Sequence, residues 1–391
     1  MKTKFFGSLA VASLLVSGAN AVSFDVFGHV GTAYSFGIDK INDGSGESKE
    51  PWFGGVTARA GFEVGFGPVS LGLGVAGGLP YLISPDGAFK SIVERGFFTK
   101  PDDVKWYNWL SDAYLRVDTR NFSLIGGRYD LSTFFDGKDG ETKNGVDWIS
   151  GLSEGVSLKL ETRYLTWWAN YAYEIMDFGA RNPGRIGSDL MGFHQYGHVG
   201  WGSNSHYVST GVDININEMF YIDPFVTYVV QDGDDVLQLG GKVELDLGNK
   251  KFSSQTIVRG MYQNCYENTF LLWLDQEFKI YDLVKFGGGV YTVGNKAGIY
   301  HTSDKSRFYG NTFGQNTDFF SAGRDVWYVF TGLTHKYFDL DILYADWDYK
   351  EISVVGSINI VNNREMKWSV GGGWVQENYF DKAIAFTKFS F

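Results

Sequence analysis

The stretch Leu237-Gln238-Leu239-Gly240-Gly241-Lys242-Val243-Glu244-Leu245-Asp246-Leu247 decides the fold. Leu237, Leu239, Val243, Leu245 and Leu247 share one parity, and Gln238, Lys242, Glu244 and Asp246 share the other. A period of two is a β-strand with one apolar face, because successive side chains point to opposite sides of the sheet. The run is as long as a tilted strand that crosses a bilayer, about 9–11 residues. A second stretch repeats it, with Phe270, Leu272, Leu274, Phe278 and Ile280 set against Asp275, Glu277 and Lys279.

Working outward, Phe24, Val26, Val30, Tyr34 and Phe36 alternate with Asp25, His29 and Ser35, and Val56, Ala58, Ala60, Phe62 and Val64 alternate with Arg59 and Glu63. Segments of this kind start near residues 22, 52, 69, 105, 122, 155, 164, 206, 219, 236, 251, 269, 283, 326, 338, 352, 365 and 382. The count is eighteen, with sixteen the alternative. The segments at 122 and 219 are the least distinct, because both of their faces carry apolar residues. Charges within one segment agree in parity: Arg59 with Glu63, Asp112 with Arg116, Lys159 with Glu161, Lys251 with Arg259, and Glu365 with Lys367. A basic side chain facing lipid at the midplane costs roughly 2–4 kcal/mol, so a membrane barrel enforces this agreement. Asp346 is the exception, at the end of a segment beside a loop.

A water-soluble β-sandwich also alternates, so connection lengths must separate the two architectures. Short links, such as Gly67-Pro68, Asn217-Glu218 and Tyr281-Asp282, alternate with long ones near 39–51, 79–104, 130–154, 175–205 and 294–325. Outer-membrane barrels have short turns at the periplasmic end and long external loops, whereas a sandwich has no reason to sort loop length by parity. Composition agrees: of 391 residues 51 are Gly and only 7 Pro, and aromatics reach 17%, which suits tightly paired strands with aromatic girdles. After the first twenty residues no apolar run approaches the length of a membrane-spanning helix. The expected fold is therefore all-β, a transmembrane antiparallel β-barrel of about 18 strands.

The ends of the chain fit export to an outer membrane. Lys2 and Lys4 precede the apolar run Phe5–Val16, and Ala19-Asn20-Ala21 is a small-residue cleavage site. Residues 1–21 are thus expected to be a signal peptide and residues 22–391 the barrel. The chain closes on Thr387-Lys388-Phe389-Ser390-Phe391. An alternating strand ending in phenylalanine resembles the signal that the bacterial barrel assembly machinery reads, with Phe391 as its contact. Outer-membrane lipid is the other expected partner.

The hairpin Asp112-Ala113-Tyr114-Leu115-Arg116 and Leu124-Ile125-Gly126-Gly127-Arg128 resembles one that recurs in Gram-negative porins. The whole chain from Val22 is similar to the epsilonproteobacterial, Helicobacter-type (Hof-like) outer membrane proteins, related to the major outer membrane porins. That resemblance implies a barrel of eighteen strands, often a homotrimer, whose third external loop folds inward as a constriction. Here that loop would run from about Asp130 to Glu154 and present Asp136, Asp139, Glu141 and Asp147.

Barrels of sixteen to eighteen strands leave an aqueous channel, whereas eight strands leave a filled interior. Parity nominates Arg59, Asp112, Arg116, Arg128, Lys159, Lys242, Arg259 and Lys285 as lining it. The expected function is passive diffusion of small hydrophilic solutes and ions. The alternative is a surface adhesin that uses long external loops such as Tyr300–Arg324. Enzymatic, cofactor and metal readings find no support. The histidines form no zinc-type motif, His194 and His198 sit in a Gly-rich stretch, and no G-x-S-x-G elbow occurs. Lys138 stands at a required ligand position in the calcium-loop-like Asp136–Glu141. Cys265 is the sole cysteine and cannot form an internal disulfide. A net charge of -11, falling to -13 once Lys2 and Lys4 are lost, argues against nucleic acid as a partner.

Overall fold

A computed structural model describes residues 22–38, 41–42, 48–49, 52–83, 107–131, 134, 152–176, 197–198, 205–217, 219–299, 307–309, 320–363, 365–377 and 381–391. The expected signal peptide and the four constriction candidates Asp136, Asp139, Glu141 and Asp147 lie outside these residues.

Eighteen long strands form one closed antiparallel ring. They are β1 (Val22–Gly37), β2 (Trp52–Phe66), β3 (Val69–Ile83), β4 (Tyr107–Asp118), β5 (Phe122–Asp130) and β6 (Leu152–Glu161). Next come β7 (Leu165–Met176), β8 (His206–Asn217), β9 (Phe220–Val230), β10 (Val236–Asn249), β11 (Phe252–Asn264) and β12 (Asn268–Ile280). The last six are β13 (Val284–Val293), β14 (Asp325–His335), β15 (Phe338–Trp347), β16 (Glu351–Asn362), β17 (Lys367–Glu377) and β18 (Asp381–Ser390). Each pairs with the next, and β1 closes the ring on β18 with Val30 opposite Phe389. Closure leaves no strand edge unpaired, which a lipid environment demands of any sheet.

Parity determines which side chains face out. On β12, Phe270, Leu272 and Leu274 are exposed, while Thr269, Leu271, Trp273, Asp275 and Glu277 are buried. Leu272 keeps 53% of its surface exposed, and similar residues ring the barrel: Leu71, Leu73, Leu239, Val258, Val290 and Val329. A continuous apolar band of this size is untenable in water and is the surface expected against lipid. Aromatic pairs flank the band. Phe24 stacks on Phe62 and Phe252 on Phe278 near the short-turn end, and Trp327 packs on Tyr344 near the opposite end.

The turn end is built from tight links. Tyr281 and Asp282 both adopt positive φ, 53° and 54°, as a type I′ hairpin requires. At the other end the connections 38–51, 84–106, 131–151, 177–205 and 294–324 are long. The terminal strand is fastened at the turn end. Phe391 donates its backbone N–H to the Gly28 carbonyl at 3.0 Å and accepts from Gly28 N–H at 2.9 Å. A Cβ on Gly28 would come within 2.9 Å of the Phe391 ring, so the glycine makes room for that side chain.

Candidate functional site

Register and burial place Arg59, Asp112, Arg116, Lys159, Lys242, Arg259 and Lys285 on the inner face. Arg128 is a correction. It stands opposite Ala113 and Glu154, on the parity of Leu124, Val156 and Leu158, so it faces outward. The cost of an outward charge is met locally. Arg128 donates to Glu154 at 2.7 Å and to the Leu110 carbonyl at 3.3 Å, and Tyr173 donates to the other Glu154 oxygen at 2.6 Å. These groups sit at the loop end of their strands, away from the midplane.

The inner-face charges gather into nodes. Midway along β2, Arg59 donates Nε and Nη2 to Asp112 at 3.0 and 2.6 Å and Nη1 to Asp130 at 2.8 Å. Its guanidinium lies 5.1 Å from the centre of the Phe27 ring. Asp112 is fully buried and also accepts from the Ser111 hydroxyl at 2.6 Å. Ser111 is the extra residue of a bulge in β4, because Gly74 pairs with Asp112 and Val75 with Leu110. The bulge turns two successive polar side chains inward, as bulges beside functional sites do. Below this node Tyr114 donates to Glu63 at 2.7 Å, and Arg116 pairs with Asp118.

A second node lies midway along β12. Here Arg307, from the long connection after β13, reaches the wall. Nε and Nη2 donate to the two oxygens of Asp275, each at 2.7 Å, and Nη1 donates to Glu277 at 2.7 Å. The Phe330 ring lies 3.7 Å from the guanidinium carbon. Tyr328 hydrogen-bonds Asp275 and accepts from Trp273 Nε1 at 2.8 Å. Burial alone would lower the Arg307 pKa. The hydrogen bonds and charge of Asp275, and then the charge of Glu277, outweigh burial and push it above the ordinary value.

Glycines shape this second node. Asp275 faces Gly289 and then Tyr328 along the register, and Glu277 faces Gly287 and then Phe330. A Cβ on Gly289 would fall 2.3 Å from the Tyr328 hydroxyl, and one on Gly287 would fall 2.6 Å from the Phe330 ring. Bare backbone on β13 therefore lets two aromatic side chains of β14 lean across it to the carboxylates of β12. The Gly-rich run Phe286–Val290 is explained by this close approach.

Two external segments enter the barrel. Leu131 and Phe134 follow β5 and are fully buried. Phe134 packs on Tyr129 and lies 5.9 Å from the Arg116 guanidinium and 5.1 Å from Lys159 Nζ. Phe308 is fully buried among Tyr291, Tyr328 and Tyr349. Tyr309 donates its N–H to Glu351 at 2.7 Å and its hydroxyl to Asp341 at 2.6 Å; Asp341 also pairs with Lys285. Of the expected external loop 300–324, the described residues Arg307–Tyr309 lie inside the barrel. Arg307, Phe308, Tyr309 and Phe134 carry no sequence signal because loops have no periodicity, and Asp130 is the last residue of a strand whose alternation is weak. Two adjacent inward carboxylates, Asp275 and Glu277, beside a run of glycines were the available signal.

The nodes on β2 and β12 are ten strands apart one way around the ring and eight the other. They therefore lie on nearly opposite sides of the barrel. A third cluster joins Lys242 to Asp223 at 3.4 Å and Glu244 at 3.5 Å, with Arg259 opposite Lys242 in register and 4.9 Å from the Trp273 ring. Among the described residues no group of three potential metal ligands occurs.

Comparison of the sequence with protein-family models and with curated proteins finds no match. Comparison of the structure does. The chain is similar to OccAB4 of Acinetobacter baumannii, with TM-score 0.65, 11% identity, and coverage of 95% of this chain and 99% of that one. It is similar to the outer membrane protein OpdK of Pseudomonas aeruginosa, solved also with vanillate, with TM-score 0.63, 12% identity and coverage of 94% and 98%. It is similar to OccK9 (OpdG) of the same organism, with TM-score 0.61, 14% identity and coverage of 94% and 98%. At these identities the likeness establishes the fold: this chain has the closed eighteen-strand barrel of those proteins over nearly its whole length.

Proposed function

We propose that this chain is an outer-membrane porin, a passive diffusion channel for small hydrophilic solutes and ions. The observation that carries the reading is a ring of eighteen strands with an apolar exterior, an inner wall of charged side chains, and segments of two loops seated inside. A ring of that size encloses far more space than wall side chains fill, so inward-folding loops, not the strands, set the passage. Residues 1–21 are then a cleaved signal peptide, Phe391 is the handle for the assembly machinery, and the barrel assembles as a homotrimer. Kinship to the Helicobacter-type outer membrane proteins rests on the Asp112–Arg116 and Leu124–Arg128 hairpin.

The wall favours cations. Arg59 meets two carboxylates, Asp112 and Asp130, and Lys242 meets two, Asp223 and Glu244. The Arg59 node keeps a residual negative charge, whereas Arg259 opposite Lys242 balances the second pair of carboxylates; charges in a low-dielectric wall focus the field on the passing ion. An aromatic carboxylate such as the vanillate bound to OpdK meets an unfavourable potential here. The adhesin reading loses ground because Arg307–Tyr309 is committed to the interior. Liposomes carrying the mature protein should swell in isotonic arabinose at rates well above protein-free liposomes. Equal rates would count against the diffusion channel.

A further inference from the structure

We propose that Asp275, Glu277, Phe330 and Tyr328 form a receptor for the guanidinium group of a permeating solute, and that Arg307 is its resident internal ligand. The inference rests on the diffusion-channel reading. The pocket has what planar guanidinium recognition needs: a carboxylate that accepts two parallel N–H donors, a second carboxylate for the remaining edge, and an aromatic face beneath. Its rim is rigid. Tyr328, itself held by Trp273, donates to Asp275, and the bare backbone at Gly287 and Gly289 fixes how far the aromatic rings lean.

What sets this node apart from the Arg59 node is the source of the guanidinium. Arg59 belongs to the wall and cannot leave. Arg307 comes from a loop, and its two neighbours carry the loop's anchorage. Phe308 fills the aromatic slot, and Tyr309 is held by Glu351 and Asp341. Arg307 can therefore swing away while the segment stays seated. Its side chain is 21% exposed, against 4% for Asp275 and 7% for Glu277, so a solute meets the internal ligand before it meets the carboxylates. A solute carrying a guanidinium exchanges with Arg307, resides briefly, and passes on; one carrying only a quaternary ammonium finds no donors to offer and does not.

The test uses the full mature protein in planar bilayers, with potassium chloride on both sides and guanidinium chloride added at millimolar, non-denaturing concentrations. Tetramethylammonium chloride is the control cation. Arg307→Ala vacates the pocket, so guanidinium should lower the potassium current of this variant at concentrations at least ten-fold below those needed for wild type. Tetramethylammonium should not distinguish the two. Adding D275N to R307A should abolish the extra sensitivity. If R307A loses heat-modifiability and thus is unfolded, Arg307→Gln serves in its place. Equal guanidinium sensitivity in wild type and variant, or sensitivity that survives D275N, overturns the proposal. Absence of conductance in every protein overturns the diffusion-channel reading and this inference with it.

Discussion

Replacing Asp112 with alanine removes the fully buried carboxylate that holds two of the three guanidinium nitrogens of Arg59. Nε and Nη2 lose their acceptors, Ser111 loses its bond to Asp112, and of the Arg59 hydrogen bonds only the 2.8 Å one to Asp130 remains. Breaking a buried pair by deleting one partner costs about 3–5 kcal/mol, because the other charge is left uncompensated. Two features reduce that figure. Asp130 still neutralises Arg59, and the Arg59 side chain is 12% exposed and so can recruit some water. The expected loss is about 2–3 kcal/mol, roughly 30- to 150-fold in the folding equilibrium. The matched control is Asp118→Ala. It also removes a carboxylate from an arginine, Arg116, but Asp118 is 40% exposed, and exposed pairs contribute about 0–1 kcal/mol. The assay is equilibrium urea unfolding of the refolded barrel in lipid, read from its heat-modifiable fraction. A loss for Asp112→Ala no larger than that for Asp118→Ala would refute the reasoning, since the Arg59 node would then be no more than a surface ion pair.

Leu272 stands near the middle of an outward row on β12, so Leu272→Arg should destabilise the barrel in lipid by about 2–4 kcal/mol. The same substitution would be nearly silent if this face met water, and the unfolding midpoint in lipid separates the two outcomes. Gly289→Val places a side chain where the Tyr328 hydroxyl and the Leu274 carbonyl already lie, at 2.3 and 2.5 Å from the new Cβ. Tyr328 must withdraw from Asp275, which should cost about 1–3 kcal/mol by overpacking and leave the outer face untouched. An unchanged midpoint would show that Tyr328 does not need the bare backbone.

Parity made most of the barrel legible. In Leu237–Leu247 one face carries leucine and valine and the other lysine and glutamate, so the register leaves no choice of side. Strand starts read from the sequence fall within three residues of those observed. The reading weakened at β9 for a physical reason. Its inner residues Tyr221, Phe225 and Val229 are buried within the barrel, so both faces are apolar and alternation carries no contrast. It failed at Arg128 in β5, the other strand of mixed character. There alternation gives little contrast between the faces, and the neutralising partner Glu154 lies across a 21-residue connection, on the outer parity of β6. The site was half legible. Wall charges follow from parity, whereas the insertion of Phe134 and Arg307–Tyr309 depends on contacts between a loop and a distant strand, which no local pattern encodes.

Single-channel recording of the barrel, residues 22–391, in planar bilayers tests the central claim most directly. Folded, heat-modifiable protein should give discrete conductance steps, and a potassium chloride gradient should give a reversal potential that favours potassium. Folded protein that inserts and yields no steps would contradict the account.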